Sequence, residues 1–518
     1  MNMKKLLIKK YHFTGGAPFR VVRPKCLLGV LLASLFLSAT VSTAQTTSAF
    51  DSYHCPEWFR DAKFGIWSHW GPDSVPGIFN NYAHDLYSQD SPEYQWHLEH
   101  YGHPSQFGYK DVINSWKAEK FDPGALMAKY RAAGANYFVA LATHHDNFDN
   151  WDSTWHEWNS VKVGPHKDIV GLWRDATLKA GLRFGVSSHA DDRGWNYMFG
   201  AQGSDKTGPK AGVPYDGHLT KADGKGQWWD GLDPAELYNH PKSAKDSPPL
   251  EWKELWLKRH IDLVDKYQPD LLYFDGGIPH PPYGQQLIAH YLEENTKAHG
   301  GKVEAVVNVK SGTFVPDYER GMATMIMDRP WQGETSLGGW FYLGGPHVDS
   351  ASVTKSADIV IHMLADIVSK NGNFLLNFPQ RGDGSLYPEC ETVLDELAKW
   401  MPINGEAIFG TRPWQLYGEG PTPRPEAKYM NELKQPLTWQ DVRFTTKGDF
   451  LYAIVCGVPQ GPLQIKSLGR LGRGFSSIEL LGSREKVQYK IEWEGLTIQP
   501  LKEWPCQHAV VFKIKLNK

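Results

Sequence analysis

The stretch LLYFDGG, residues 271–277, sets an aspartate, Asp275, at the tip of a wholly apolar run. The same arrangement recurs elsewhere in the chain. His69 closes KFGIWSH, His144 and His145 follow NYFVALAT, and His189 follows LRFGVSS. A carboxylate and four imidazoles can do nucleophilic or acid–base chemistry, can hold sugar hydroxyls as neutral rings, or can ligate a metal. Each residue alone has a plainer reading, because Asp-Gly is a common turn pair and a lone histidine often belongs to a core. Four successive apolar runs that each end in a polar group go beyond what turns and core packing require. Metal binding is disfavoured, since no HxH or HxxxE spacing supports these histidines and adjacent His144 and His145 rarely aim at one ion. No metal and no cofactor is the expectation.

The apolar runs at 62–70, 135–142, 182–188, 271–275, 303–309 and 373–378 have strand length, and helix-length stretches separate them. Nearly continuous apolar strands between helices imply a parallel sheet covered on both faces. So many repeats favour a (β/α)8-like barrel, spanning 45–411, over an open sheet. The C-terminal ends of the strands of such a barrel carry its pocket, which is where Asp275 and the histidines fall. The long Gly/Asp/Lys/Pro-rich stretch from Ala190 to Pro249 follows a strand directly and is expected over the mouth of that pocket. From residue 412 to 518 the pattern changes to short runs of period two broken by Gly and Pro, which predicts a C-terminal antiparallel β-sandwich. Bracing the barrel is favoured for this domain over binding sugar.

Composition narrows the partners. A formal charge of −3 over 518 residues argues against a nucleic-acid binder. The chain holds 21 Trp, 23 Tyr and 23 Phe, which suits either a large aromatic core or rings that stack on the C–H faces of sugars. Basic residues from Lys4 to Lys25, the apolar run Cys26–Ala39 and a small-residue site ending at Ala44 read as a signal peptide over 1–44. The protein is therefore expected in the periplasm or outside the cell, with no integral membrane segment after cleavage. Of the remaining cysteines, Cys55, Cys390, Cys456 and Cys506, none forms CxxC spacing, and a Cys456–Cys506 bridge stays open. A homo-oligomer is compatible with the sequence.

Longer blocks carry a resemblance. KFGIWSHWGPDSVPG (63–77), HHDNFDNWDS (144–153), VGPHKDIVG (163–171), LLYFDGG, VSKNGNFLLNFPQRGDGSL (368–386) and NGEAIFGTRPW (404–414) resemble, in order and wording, the retaining α-L-fucosidases of glycoside hydrolase family 29. The likeness covers roughly 57–414. It implies that Asp275 is the nucleophile, that His69, His144 and His145 contact the sugar, and that Trp67 and Trp70 wall the site. His189, Tyr82 and Trp331 join the candidate substrate-binding residues. A retaining mechanism needs a second carboxyl group about 5–5.5 Å from the first. The resemblance implies Glu319 in that role, with Glu334 as the alternative. The family's Glu-Trp-Tyr-Ala stretch is replaced here by Asn80-Asn81-Tyr82-Ala83. Loss of a carboxylate changes how a hydroxyl is held, so an α-L-galactosidase acting on algal or plant polysaccharide is an alternative to a secreted exo-acting α-L-fucosidase. A carbohydrate-binding protein without catalysis is a second alternative.

Overall fold

The computed structural model describes residues 50, 53–78, 80–344, 353–423, 428–469 and 474–517. The expected leader at 1–44 lies outside them. Eight parallel strands close into a barrel: β1 (Phe64–Ser68), β2 (Tyr137–Thr143), β3 (Arg183–Ser188), β4 (Leu271–Phe274), β5 (Val306–Val309), β6 (Val315–Glu319), β7 (Trp331–Ser336) and β8 (Gly372–Asn377). They follow chain order, and β8 pairs back onto β1. Six helices pack around them: α1 (Pro123–Ala132), α2 (Ile169–Lys179), α3 (Leu250–Tyr267), α4 (Tyr283–Ala298), α5 (Ala357–Ser369) and α6 (Pro388–Asn404). The start of α1 shows how locally these elements are specified. Asp122 accepts a hydrogen bond from the Ala125 N–H at 2.9 Å, and Pro123 occupies the first turn, where no N–H partner is needed.

Two barrel strands, β6 and β7, are absent from the apolar runs. They read VPDYE and WQGETS, because the side chains they turn toward the barrel axis include Asp317, Glu319, Gln332 and Glu334. Side chains alternate across a strand, so β4, β5 and β6 each begin apolar and end polar along the axis. In β4 the sequence is Leu271, Tyr273, then Asp275; in β5 it is Val306, Asn308, then Lys310; in β6 it is Val315, Asp317, then Glu319. Leu271, Val306 and Val315 form an apolar plug with Tyr137, Val139 and Leu375. Among the described residues no helix joins β5 to β6 or β6 to β7. A segment from the C-terminal part covers that side: the Met430 N–H donates to the Glu319 carbonyl at 3.2 Å and the Glu432 N–H to the Arg320 carbonyl at 2.9 Å.

The C-terminal part is a pair of antiparallel sheets. The larger has the order β13 (Phe475–Leu480), β16 (Val510–Leu516), β11 (Phe450–Val455), β10 (Val442–Lys447), β9 (Arg412–Glu419). The smaller has the order β12 (Leu463–Ile465), β15 (Gly495–Ile498), β14 (Tyr489–Glu492). Alternation divides the larger sheet's residues: Leu451, Ala453, Val455 and Phe512 pack on Leu463, Ile465, Leu496 and Ile498 of the smaller sheet, whereas Tyr452, Ile454 and Val511 join the barrel's core. The cysteines of the open bridge are both free: Cys456 is buried, and the Cys506 thiol donates to the Ala509 carbonyl at 3.1 Å.

Polar contacts lock the sheet to the barrel. The Trp400 indole donates to the Ala509 carbonyl at 2.9 Å, and Asp366 of α5 accepts from Lys370 at 2.5 Å and from Arg443 of β10 at 2.6 Å. All three charged groups are buried. Burial opposes the charge on Asp366, but Lys370 and Arg443 outweigh it and hold the carboxyl below the usual carboxylate range. Asp366→Ala leaves two buried cations facing a void, and urea denaturation should show a loss of about 3–5 kcal/mol. Because the folded pKa is depressed, the wild-type contribution is present above the unfolded carboxyl pKa of about 3.9 and disappears on further acidification; the variant should lack that acid dependence.

Candidate active site

The polar ends of the strands meet at one mouth of the barrel. They line a cavity of about 160 Å³ bounded by Trp67, His69, Asn80, Asn81, His144, His145, His189, Arg193, Tyr273, Asp275, Lys310, Glu319, Glu334, Trp340 and Phe341. Asp275 stands one residue beyond β4, and both its carboxylate oxygens are held. Lys310 contacts Oδ1, while Arg193 donates to Oδ2 at 2.6 Å and His145 and His189 face Oδ2 at 3.4 Å. Burial alone would raise this carboxyl. His189, the contacts from His145 and His189, and Lys310 reverse that and hold it far below the usual carboxylate range. Burial opposes protonation of His189, and Lys310 and Arg193 are the cationic side chains in direct contact with Asp275.

The Lys310 ammonium also reaches Glu319 Oε2 at 2.6 Å. Two carboxylates thus share one cation at the rim. Burial opposes the charge on Lys310, but Glu334, Asp275 and Glu319 hold it above the usual lysine range. Glu319 is the more open of the two candidate partners, with 31% of its side chain exposed, against 1% for Glu334 as a whole. Glu334 lies deeper and accepts a hydrogen bond from the Tyr273 hydroxyl at 2.9 Å, and that hydroxyl is also 3.4 Å from Asp275 Oδ1. Burial, then the neighbouring Asp317, pushes the Glu334 carboxyl well up. Asp317 is pushed up to about 7, chiefly by burial, and accepts from Gln332 at 2.9 Å.

Three histidines cluster beside Asp275. Ring centroids of His69, His144 and His189 lie 4.9–5.1 Å apart, and Nδ1 of His69, Nδ1 of His144 and Nε2 of His189 are buried without a protein partner. Burial holds all three rings below the usual histidine range. A neutral imidazole offers one donor and one acceptor, which matches vicinal hydroxyl groups. One nitrogen from each also lies within 4.8 Å of the others, as do ligand atoms of His145, His189 and Asp275. These groupings come from separate strand ends, so spacing along the chain does not reveal them.

The structure brings together most of the residues singled out from sequence but not all. Trp67 lines the cavity and donates to the Ser187 hydroxyl at 3.1 Å. Trp70 does not: one residue past His69 it turns outward, donates to the Arg381 carbonyl at 2.9 Å and packs edge-on against Trp116. Trp331 likewise faces out of the barrel, donating to the Lys370 carbonyl at 2.9 Å, because it alternates with the inward Gln332. Tyr82 is buried on His97, 2.5 Å from hydroxyl to Nδ1, and does not reach the cavity. The stretch 190–249 does approach the mouth, through Arg193. Lys310, Arg193, Tyr273, Trp340 and Phe341 escaped the sequence reading. Lys310 had a usable signal, since it follows Val306 and Asn308 at period two, as Asp275 follows Leu271 and Tyr273. Arg193 had none, because its approach depends on how a long loop folds.

Comparison with known proteins agrees with this geometry. The alpha-L-fucosidase family model matches residues 32–406. Human tissue alpha-L-fucosidase is 27% identical over 490 residues, covering 90% of each chain, and alpha-L-fucosidase of Branchiostoma floridae is 25% identical over 516 residues, covering 94% of this chain and 99% of that one. The fold is similar to that of Thermotoga maritima alpha-fucosidase solved in complex with fucose, with a TM-score of 0.67, 25% identity, and coverage of 90% of this chain and 98% of that chain. With an eight-stranded barrel, a carboxylate at the tip of β4 and a match that spans nearly the whole barrel, the chain belongs to the alpha-L-fucosidase family.

Proposed function

We propose that this cavity releases single terminal α-L-fucose residues from glycans with retention of configuration, with Asp275 as the nucleophile and Glu319 as the acid/base. The observation that carries the reading is the Lys310 ammonium in contact with both carboxylates. Carboxyl groups that share one ammonium fit the spacing of about 5–5.5 Å used in double displacement better than the roughly 6.5–9.5 Å that leaves room for an inverting water. Asp275 attacks the anomeric carbon as Glu319 gives its proton to the departing oxygen. Glu319 then takes a proton from water, which attacks the glycosyl ester and frees Asp275. Glu319 is preferred over Glu334 because the leaving group exits at the rim, where Glu319 is exposed and Glu334 is not. Glu334, pushed toward its neutral form, fits the floor of the site as a partner of Tyr273. Arg193, with 46% of its side chain exposed, is the contact that a sugar can displace to free an attacking oxygen.

The cavity of about 160 Å³ suits one sugar ring and so exo action. Trp67, Trp340 and Phe341 give it an apolar wall suited to a methyl group. The buried Asn80 Oδ1 lines the same cavity without a partner, and it favours α-L-galactosides as the second reading, since it can accept a hydroxyl. The basic and apolar N-terminal sequence supports action in the periplasm or outside the cell; N-terminal sequencing of the mature protein should begin at Gln45, and an intact Met1 overturns that assignment.

Asp275→Ala should lower kcat on the order of 10³-fold or more with the fold retained. Glu319→Ala should impair glycosides with poor leaving groups far more than activated aryl glycosides, and azide should restore turnover with retention. That pattern in Glu334→Ala and not in Glu319→Ala moves the acid/base role to Glu334. For wild type, kcat/KM should favour aryl α-L-fucoside over aryl α-L-galactoside; a preference for galactoside of about tenfold, equal to about 1.4 kcal/mol in the transition state, establishes the second reading.

A further inference from the structure

The two-residue turn between β14 and β15 is Trp493-Glu494, flanked by the pair Glu492 and Gly495. Trp493 is 75% exposed, the highest value for a large apolar side chain among the described residues. A hairpin tip needs compact turn formers, and the sandwich core makes no use of this indole. Beside it lies a cavity of about 590 Å³ lined with Gln464, Lys466 and Ser467. A second cavity of about 560 Å³ shares Gln464 and Lys466 and extends to Trp439 and Gln440. Gln464 lies in β12 and Lys466 directly follows it; alternation buries Leu463 and Ile465 and exposes Gln464 and Lys466. The Glu419 carboxylate fixes this strand end by accepting from the Lys466 and Ser467 N–H groups at 2.6 and 2.8 Å.

The result is a trough with an indole at each end and carboxamides and an ammonium between them. Indole faces cover the C–H face of a pyranose, and planar amides match its hydroxyls. Lys466 stands with the acids Glu419 and Glu494, so no positive stripe selects a polyanion. Each half of the trough is larger than the single-ring cavity in the barrel. We propose that this trough is a second carbohydrate-binding site, one that holds several residues of the neutral glycan chain whose terminal sugars enter the barrel. Such a site acts by raising the effective concentration of glycan ends near the barrel mouth without new contacts to the reacting sugar.

The test uses the full chain in native gels containing soluble fucosylated xyloglucan, and separately in gels containing its enzymatically defucosylated form. Both should retard wild type and Asp275→Ala alike, because the trough does not need a competent nucleophile. Trp493→Ala and Trp439→Ala should migrate freely. Trp493→Ala, at an exposed tip, should keep wild-type melting behaviour and wild-type kcat/KM on aryl α-L-fucoside, while KM for fucosylated xyloglucan rises on the order of fivefold or more. No retardation by either gel, or retardation untouched by Trp493→Ala, overturns the proposal. So does a change in sedimentation with Trp493→Ala while retardation persists, which identifies the exposed strand β14 as a contact between copies of this chain.

Discussion

Four carboxyl groups, those of Asp275, Asp317, Glu319 and Glu334, crowd one end of the barrel around the single ammonium of Lys310. Two unit charges 4 Å apart interact by about 4 kcal/mol at an effective dielectric constant near 20, so four negative charges cannot all persist there. Position decides which group keeps its charge. Asp275 has Lys310 and Arg193 on its two oxygens. Asp317 and Glu334, deeper and next to each other, are pushed toward the neutral acid. The Tyr273 hydroxyl connects the two kinds of group, touching Asp275 and Glu334. The same burial leaves His69, His144 and His189 neutral, with nitrogens that lack protein partners. The cavity therefore combines charged groups with polar but uncharged ones, which meet where His189 faces Asp275.

The sequence reveals this arrangement unevenly, and the reason lies in the barrel geometry. Strands that present an apolar face to their helices and an apolar plug to the axis, as β2 and β4 do, stand out as continuous runs. Strands β6 and β7 turn Asp317, Glu319, Gln332 and Glu334 inward, and their short polar sequences look like loops. The elements hardest to recognise are those that carry Glu319 and Glu334. Misplaced residues have a related cause. Trp70 and Trp331 sit one position from His69 and Gln332, and one step along a strand moves a side chain from the axis to the helical layer. Tyr82 lies near the cavity in sequence, beside Asn80 and Asn81, yet its hydroxyl is committed to His97.

The parts of the site that spacing could not reveal are long-range. Arg193 reaches Asp275 across 82 positions; the period-two pattern of β5 places Lys310 toward the axis, but not its meeting with Asp275 across 35 positions. Local patterns specify strands and caps, whereas the sharing of one cation by two carboxylates is a property of barrel closure. The apolar wall from Trp340 and Phe341 follows β7 directly, so it became interpretable only once β7 was known to be a strand.

The strap at 428–432 bears on how this molecule can be divided. It follows β9 in sequence, yet it supports the helix-free side of the barrel. Its Met430 N–H binds the Glu319 carbonyl, the Tyr429 hydroxyl donates to the Lys310 carbonyl at 2.7 Å, and Glu432 pairs with Arg320 at 3.1 Å. The backbone of both partners of the charged rim is thus steadied from outside the barrel's own stretch of chain. The two halves are therefore not interchangeable modules. A lineage that shed or swapped its sandwich would have to rebuild the footing of Lys310 and Glu319, and chimeras joined at the apparent border inherit a barrel whose rim is unsupported there.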